Sequence, residues 1–119
     1  MSQTWTLLDT TEGQFTESWE FDGSSVGWED LHIHAHRLKG GKRDGVDLIS
    51  VQDGDFSWSV IPTRGMNLWK AQLADWSVGW NSPVQGPVHP HHVPVHEPSG
   101  LGWLDGFDEL LARCGLESN

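Results

Sequence analysis

The strongest structural signal in the chain is VDLISVQDGDFSWSV, residues 46–60. Its first half is apolar and rich in β-branched residues, and its second half alternates Phe56, Trp58 and Val60 with two serines. Asp53-Gly54 lies between the two halves and is typical of the two-residue turn of a β-hairpin. The stretch therefore predicts two antiparallel strands joined by a tight turn.

The neighbouring sequence continues this pattern in both directions. Upstream, residues 31–36 (LHIHAH) alternate apolar residues with histidines, a period of two that is typical of a half-buried strand. Downstream, a turn at Pro62–Gly65 is followed by two more apolar stretches, Met66–Leu73 and Trp76–Trp80. We therefore expect an all-β, mainly antiparallel fold built around a meander.

Composition excludes several classes of function. The 119 residues carry seven Lys and Arg against seventeen Asp and Glu, a formal net charge of −10. A chain this acidic lacks the basic surface that binds nucleic acid or anionic lipid, so neither partner is expected. The N-terminus has no signal-peptide pattern, and no apolar run is long enough for a membrane span. The single cysteine, Cys114, cannot form an internal disulfide, so a cytoplasmic location is expected.

The chain length predicts a single domain, residues 1–119, made of four consecutive segments. They are an N-terminal segment (1–30), the β-meander (31–80), a loop rich in proline and histidine (81–100), and a short helix with the chain end (101–119). The helix is predicted at Leu104–Ala112, where apolar residues recur at the spacing of one helical face. Its carboxylates are expected to point to water; they are Asp105, Asp108 and Glu109.

Seven histidines offer candidate metal ligands. His32 and His34 fall on one face of the predicted strand, about 6–7 Å apart, close enough to share a divalent cation. A third ligand would come from the loop, from His89, His91 or His92. Alternatively, the strand imidazoles only supply the polar, solvent-facing side of a strand, and the sequence leaves both interpretations open.

Eight tryptophans, with no tyrosine, suggest a different ligand. Indoles stack on the apolar C–H faces of sugars, while sugar hydroxyls bind planar polar groups such as guanidinium and amide. Trp69, Trp80 and Trp103 lie in or beside segments that carry such groups. The groups are Arg64, Asn67, Asn81 and Arg113. A monosaccharide or sugar derivative is the ligand this pattern favours, and the alternative is that the tryptophans simply fill the core.

Several motifs resemble one known family. In chain order they are residues 40–48 (GGKRDGVDL), 61–66 (IPTRGM), 79–83 (GWNSP), 99–111 (SGLGWLDGFDELL) and 113–117 (RCGLE). Together they resemble the uncharacterised aldose 1-epimerase-like family of the galactose-mutarotase-like superfamily, over about residues 31–119. The resemblance implies that this chain is the N-terminal portion of a large antiparallel β-supersandwich that binds carbohydrate in a cleft on one sheet.

The resemblance also implies a site. Carried over position by position, the substrate-binding residues are Arg64, Trp80, His89, Trp103 and Arg113. In mutarotases a carboxylate takes the proton from the anomeric hydroxyl while a histidine donates one to the ring oxygen, which is general acid–base chemistry. Both groups of that pair are expected beyond Asn119. We therefore expect sugar binding without a cofactor, and no epimerase activity by this chain alone.

Two alternatives from other classes stay open. One is a small module that binds a divalent metal through His32, His34 and a loop histidine such as His91. The other is a remnant without a ligand, which is stable only through self-association because a partial sandwich leaves sheet edges and an apolar face uncovered. The second alternative predicts a homodimer.

Overall fold

The computed structural model describes residues 2–112, and its main feature is one antiparallel sheet of six strands. The strands are Leu8–Asp9 (β1), Gln14–Phe15 (β2), Ser18–Asp22 (β3), Leu31–Arg37 (β4), Asp47–Asp53 (β5), Phe56–Ile61 (β6), Asn67–Leu73 (β7) and Trp76–Val78 (β8). β1 and β2 form a small hairpin, and β3 to β8 pair in sequence order as a meander. The predicted all-β, mainly antiparallel fold is confirmed.

Tight turns set the register of the meander. β5 and β6 are joined by Gly54-Asp55, one residue later than the predicted turn, with Gly54 at a φ of +59°. Glycine reaches this left-handed conformation without the steric cost that a side chain brings. Between β6 and β7, Pro62–Arg64 form a 3-10 helix, as the proline and glycine predicted a turn there. This turn brings Arg64 to the end of the sheet.

The two faces of the sheet differ in polarity. Directly paired residues of antiparallel strands lie on the same face, so the register groups side chains into rows across the sheet. The polar face has one row of Glu20, His34, Ser50, Ser59 and Lys70, and a second of Asp22, His32, Gln52, Ser57, Gln72 and Ser77. The apolar face has one row of Trp19, Ala35, Ile49, Val60 and Leu68, and a second of Phe21, Ile33, Val51, Trp58, Ala71 and Val78.

The buried core lies at the end of the sheet next to Arg64. Val46, Leu48 and Ile61 form its centre, with Leu38 and Trp69 packed against them. The loop that follows β8 covers this end and contributes Val88, which is 2% exposed. His36 lies two residues from His34 on β4, so both side chains are on the polar face. Leu48 pairs directly with His36, and the core around Leu48 is therefore on the polar side of the sheet.

The helix predicted at Leu104–Ala112 is wrong. In this part of the chain a 3-10 helix covers Gly102–Gly106, and residues 107–112 are not helical. Instead Leu111 bridges to Leu68 of β7, and its N–H donates to the Leu68 carbonyl at 3.0 Å. Because the backbone bonds to a strand rather than to itself, Asp108 and Glu109 turn inward and are 7% and 1% exposed. Within residues 2–112, no helical segment has the length and hydropathy to cross a membrane.

Candidate functional site

Arg64 is the residue around which the candidate site is built. It ends the 3-10 helix after β6, and Gly65 follows at a φ of +73°, so the chain reverses into β7 directly beyond it. The Arg64 side chain is only 13% exposed. Its Nε donates to Oε1 of Glu109, and its Nη1 donates to the carbonyl oxygen of Val88 at 3.2 Å. Arg64 thus joins the sheet to two separate points of the covering loop.

Glu109 is a buried carboxylate whose two oxygens both accept hydrogen bonds. Oε1 accepts from Arg64 and from Asn67 Nδ2 at 3.2 Å, and Oε2 accepts from the Asp108 N–H at 2.9 Å. Burial by itself raises the pKa of Glu109, but the hydrogen bonds from Arg64, Asp108 and Asn67 outweigh it and hold the pKa below its usual value. Near neutral pH the pair is therefore ionised, and each charge compensates the other.

Asp108 fastens the same segment to the sheet. Its Oδ2 accepts from Trp69 Nε1 at 2.8 Å and from the Gly86 N–H at 3.2 Å. A Cβ at Gly86 would lie 2.7 Å from that oxygen and 2.9 Å from the Asp108 Cβ, so only glycine allows this approach. Asp108 therefore holds the proline-rich loop against β7.

Three aromatic rings form a cluster beside Arg64. Phe107 lies between Trp80, with ring centroids 5.7 Å apart, and Trp103, at 5.6 Å with the planes inclined by 73°. Trp80 Nε1 donates to the Glu109 carbonyl at 2.9 Å, which fixes that indole. Trp80 and Trp103 are 43% and 49% exposed, so both present aromatic surface to solvent.

A cavity of about 290 Å³ opens between the guanidinium and the aromatic cluster. Its lining residues are Arg64, Asn67, Pro90, Val93, Val95, Trp103 and Phe107. The walls are mostly apolar, and a guanidinium and an amide supply polar groups. Binding sites for small molecules have a similar composition, and the volume of this cavity is close to the lower end of their range, about 300 Å³.

The structure brings two of the predicted site residues, Arg64 and Trp103, onto this cavity. Trp80 lines a different, polar hollow of about 560 Å³ that also contains Lys70 and Asn81. Its ring contacts Phe107, which is part of the cavity wall. His89 is not among the residues that line the cavity. Arg113 lies outside the described residues.

His89 instead organises the loop that bears it. Its N–H donates to the Lys42 carbonyl at 2.7 Å, and its Nδ1 accepts from the His91 N–H at 3.2 Å, which caps the 3-10 helix Pro90–His92. Burial lowers the pKa of His89, and the neighbouring His91 and His92 lower it further. His89 is thus a structural cap that favours the neutral imidazole.

The histidines proposed as metal ligands do not meet. His32 lies against Asp22 and His34 against Glu20, with the nearest nitrogen–oxygen distances 4.0 and 3.8 Å. His91 packs in the loop against His92, with ring centroids 3.9 Å apart. Within the described part of the chain, no group of three or more His, Cys, Asp or Glu could hold a metal ion. The structure does not support the metal-binding alternative.

Sequence reasoning missed Glu109 and Asp108, which position the site. Both were assigned to the water-facing side of a helix that does not form. The sequence did contain one signal for them, which is Arg64 in the turn at residues 61–66. If this arginine is buried, it requires a residue of opposite charge as its partner. The motif at residues 99–111 places acidic residues in an otherwise apolar and glycine-rich sequence. Asn67 was identified, although as a group for a sugar hydroxyl rather than as a partner of Glu109.

The Arg64–Glu109 pair predicts a specific dependence of stability on pH. The pKa of Glu109 in the folded chain is below its reference value of 4.5. The ionised Glu109 carboxylate therefore stabilises the folded chain fully above about pH 4.5. This stabilisation is lost as the pH falls through the pKa that Glu109 has in the folded chain. We expect the difference in unfolding free energy between the wild type and Glu109→Gln to shrink from about pH 7 to about pH 3 in urea titrations. A difference that stays constant over this range would contradict the assignment.

Comparison with known proteins places the chain in a family. A family model described as "Domain of unknown function (DUF4432)" matches residues 43–119, which is more than half of the chain. A search of curated proteins finds no match.

A solved structure from Klebsiella pneumoniae subsp. pneumoniae MGH 78578, described as a "putative aldose 1-epimerase", is 32% identical with a TM-score of 0.81. The alignment covers 90% of this chain and 29% of that one, so this chain spans less than a third of that protein's length. The resemblance to aldose 1-epimerase-like proteins that the motifs predicted is confirmed. The chain belongs to the DUF4432 family.

Proposed function

We propose that this chain forms a carbohydrate-binding site of an aldose 1-epimerase-like protein, with a monosaccharide or sugar derivative as its ligand. The observation that carries the proposal is the cavity in which the Arg64 guanidinium and the Trp103 indole are both part of the wall. The similarity to an aldose 1-epimerase-like structure over 90% of the chain supports the same class of ligand. A cytoplasmic location belongs to this proposal and rests on the use of a single cysteine.

The chemistry of the cavity suits a sugar. A guanidinium has five N–H donors, and Glu109 and Val88 accept from two of its nitrogens, so further N–H groups can donate to hydroxyls. The half-exposed indole of Trp103 offers a flat apolar surface to the C–H face of a pyranose. A small ligand with one apolar face and several hydroxyls matches both walls.

Residues 2–112 are proposed to bind the sugar rather than to open its ring. Ring opening requires a base at the anomeric hydroxyl and an acid at the ring oxygen, each with a pKa suited to proton transfer. Glu109 does not fit the role of that base, because its pKa is lowered and both its oxygens already accept hydrogen bonds. The Arg64 guanidinium has hydrogen-bond donors and no acceptor, so it does not fit the role of that base. Epimerase activity by this chain alone is therefore not part of the proposal.

Calorimetric titration with glucose, galactose and mannose tests the proposal. We expect at least one of them to bind, and Trp103→Leu to weaken that binding about tenfold, since losing the burial of one indole face costs about 1.5 kcal/mol. Trp76→Leu is the matched control, because Trp76 is an exposed tryptophan on β8 that does not line the cavity. An absence of binding heat for every sugar, with the native circular dichroism spectrum intact, would overturn the proposal.

A further inference from the structure

A second hollow lies on the polar face of the sheet, where β6, β7 and β8 meet the start of the covering loop. Its volume is about 560 Å³, which is within the range of binding sites for small molecules. Its polar lining residues are Ser57, Ser59, Lys70, Gln72, Ser77 and Asn81. Among the described residues, none lines both this hollow and the Arg64 cavity. The hollow is therefore a separate candidate binding site.

The lining of this hollow is rich in hydrogen-bond donors and, within residues 2–112, contains no carboxylate. Lys70 supplies an ammonium with three N–H donors, the serines supply hydroxyls and Asn81 supplies an amide. The chain as a whole has seventeen Asp and Glu against seven Lys and Arg, so a hollow with a cation and no acid is unusual for it. These groups favour an anion over a neutral or cationic ligand, because hydrogen bonds between ionised partners are the strong ones.

The charge of Lys70 is not compensated by an acidic partner in the described part of the chain. Three other basic residues each form an ion pair with a carboxylate. They are Arg37, Lys39 and Arg64. The Lys70 ammonium instead lies 4.4 Å from the ring centroid of Trp69, in a cation–π contact. This contact restrains the side chain, and its N–H groups can still donate to a ligand.

Two carboxylates share a row or a hollow with Lys70, and neither prevents an anion from binding. Glu20 lies in the same row of the polar face but four strands away, about 19 Å at the usual strand spacing. Its repulsion is screened, since the Debye length is about 10 Å at 0.1 M salt. Asp108 lines an adjoining hollow together with Lys70, and its Oδ2 accepts from Trp69 Nε1 and the Gly86 N–H. These two donors already compensate part of its charge.

An indole forms one wall of the hollow. Trp80 is 43% exposed, and its Nε1 donates to the Glu109 carbonyl at 2.9 Å, which holds the ring in place. An exposed indole face can pack against the C–H groups of a ring, while serine and asparagine side chains bind hydroxyls. The hollow therefore suits a small ligand that carries both hydroxyls and a negative charge.

We propose that this hollow binds the anionic group of a small hydroxylated ligand, with Lys70 as the residue that recognises the charge. The anionic group is a carboxylate or a phosphate, and sugar acids and sugar phosphates carry these groups on a hydroxylated ring. The proposal does not depend on neutral sugars binding in the Arg64 cavity, because the described lining residues of the two sites are different.

Calorimetric titration with glucose, glucose 6-phosphate and glucuronate tests the proposal. We expect glucose 6-phosphate or glucuronate to bind at least about tenfold more tightly than glucose, as one hydrogen bond to a charged group provides. The tighter of the two shows whether the phosphate or the carboxylate is recognised. Its affinity should fall as the salt concentration rises, because salt screens the charge of an exposed lysine.

Substitutions at Lys70 assign this preference to the hollow. Lys70→Met should remove the preference for the anion, and Lys70→Arg, which keeps the positive charge, should retain most of it. Lys42→Met is the matched control, since Lys42 is an exposed lysine that does not line the hollow, and it should leave the affinity unchanged. Lys70 is also exposed, so these variants should fold normally.

The outcomes separate this site from the Arg64 cavity. A wild type that binds glucose as tightly as both anions would overturn the anion site and leave the sugar-binding proposal standing. A wild type that binds none of the three ligands would overturn the anion site as well. Anion binding that Lys70→Met and Lys42→Met change equally, or not at all, would also refute the role of Lys70.

Discussion

Replacing Glu109 with alanine is expected to lower the free energy of unfolding by about 3–5 kcal/mol, a large part of the 5–15 kcal/mol typical of a domain. The carboxylate is 1% exposed and accepts from Arg64, Asn67 and the Asp108 N–H. Its removal leaves the Arg64 guanidinium, 13% exposed, without a counter-charge. Urea titration followed by tryptophan fluorescence measures the change.

Two further variants separate the ion pair from the side chain's volume. Glu20→Ala removes an exposed carboxylate that lies 3.8 Å from His34, and its effect should stay within about 0.5 kcal/mol. Arg64→Met combined with Glu109→Leu should recover part of the stability, because an apolar pair of similar size avoids the cost of desolvating charge. A loss below about 1 kcal/mol in Glu109→Ala would contradict the buried ion pair.

Gly102→Ala is expected to destabilise the chain by about 1–3 kcal/mol. An added Cβ would overlap the carbonyl oxygen of Pro94 and lie 2.9 Å from its carbonyl carbon. Both are backbone atoms, so the two segments must move apart, and Trp103 and Val95 on the cavity wall must move with them. The same urea titration measures the loss.

Gly79→Ala is the matched control for this substitution. A Cβ at Gly79 would have no heavy atom within 4 Å, and its effect should stay within about 0.5 kcal/mol. Equal effects of the two substitutions would mean that the close approach of Gly102 to Pro94 does not matter for stability.

The meander was predictable because its determinants are local. Alternation in residues 31–36 and 56–60 and the glycine turn at 54 each predict a strand or turn from a few neighbouring residues. Each strand of the sheet pairs with the next one in sequence, so local signals also give the strand order. For the same reason the polarity of the two faces follows from the register.

The C-terminal segment could not be predicted in this way. The spacing of Leu104, Phe107 and Leu111 is helical, but Leu110 and Leu111 instead hydrogen-bond to β7, about 40 residues earlier. Helical spacing in a short segment is weak evidence when a strand edge can accept its backbone. The burial of Glu109 depends on that same contact, so the error in secondary structure also hid the partner of Arg64.

The candidate site was predicted in part. The resemblance of residues 61–66 and 99–111 to one family pointed to Arg64 and Trp103, which line the same cavity. Trp80 belongs to a third motif, residues 79–83, and His89 lies outside the motifs. Trp80 donates a hydrogen bond to the Glu109 carbonyl, and His89 caps a 3-10 helix. Motifs identify a family's residues, whereas the pairing of Arg64 with Glu109 across 45 positions requires the folded chain.

The way in which residues 107–111 meet the sheet has a consequence for motion. The backbone of this segment hydrogen-bonds to one strand of the sheet, β7, while the six strands hold one another through their own ladders. It can therefore detach as a sub-global opening with the meander still paired. A sugar bridging Arg64 and Trp103 would bind only the closed state, so ligand occupancy and local order would be thermodynamically linked.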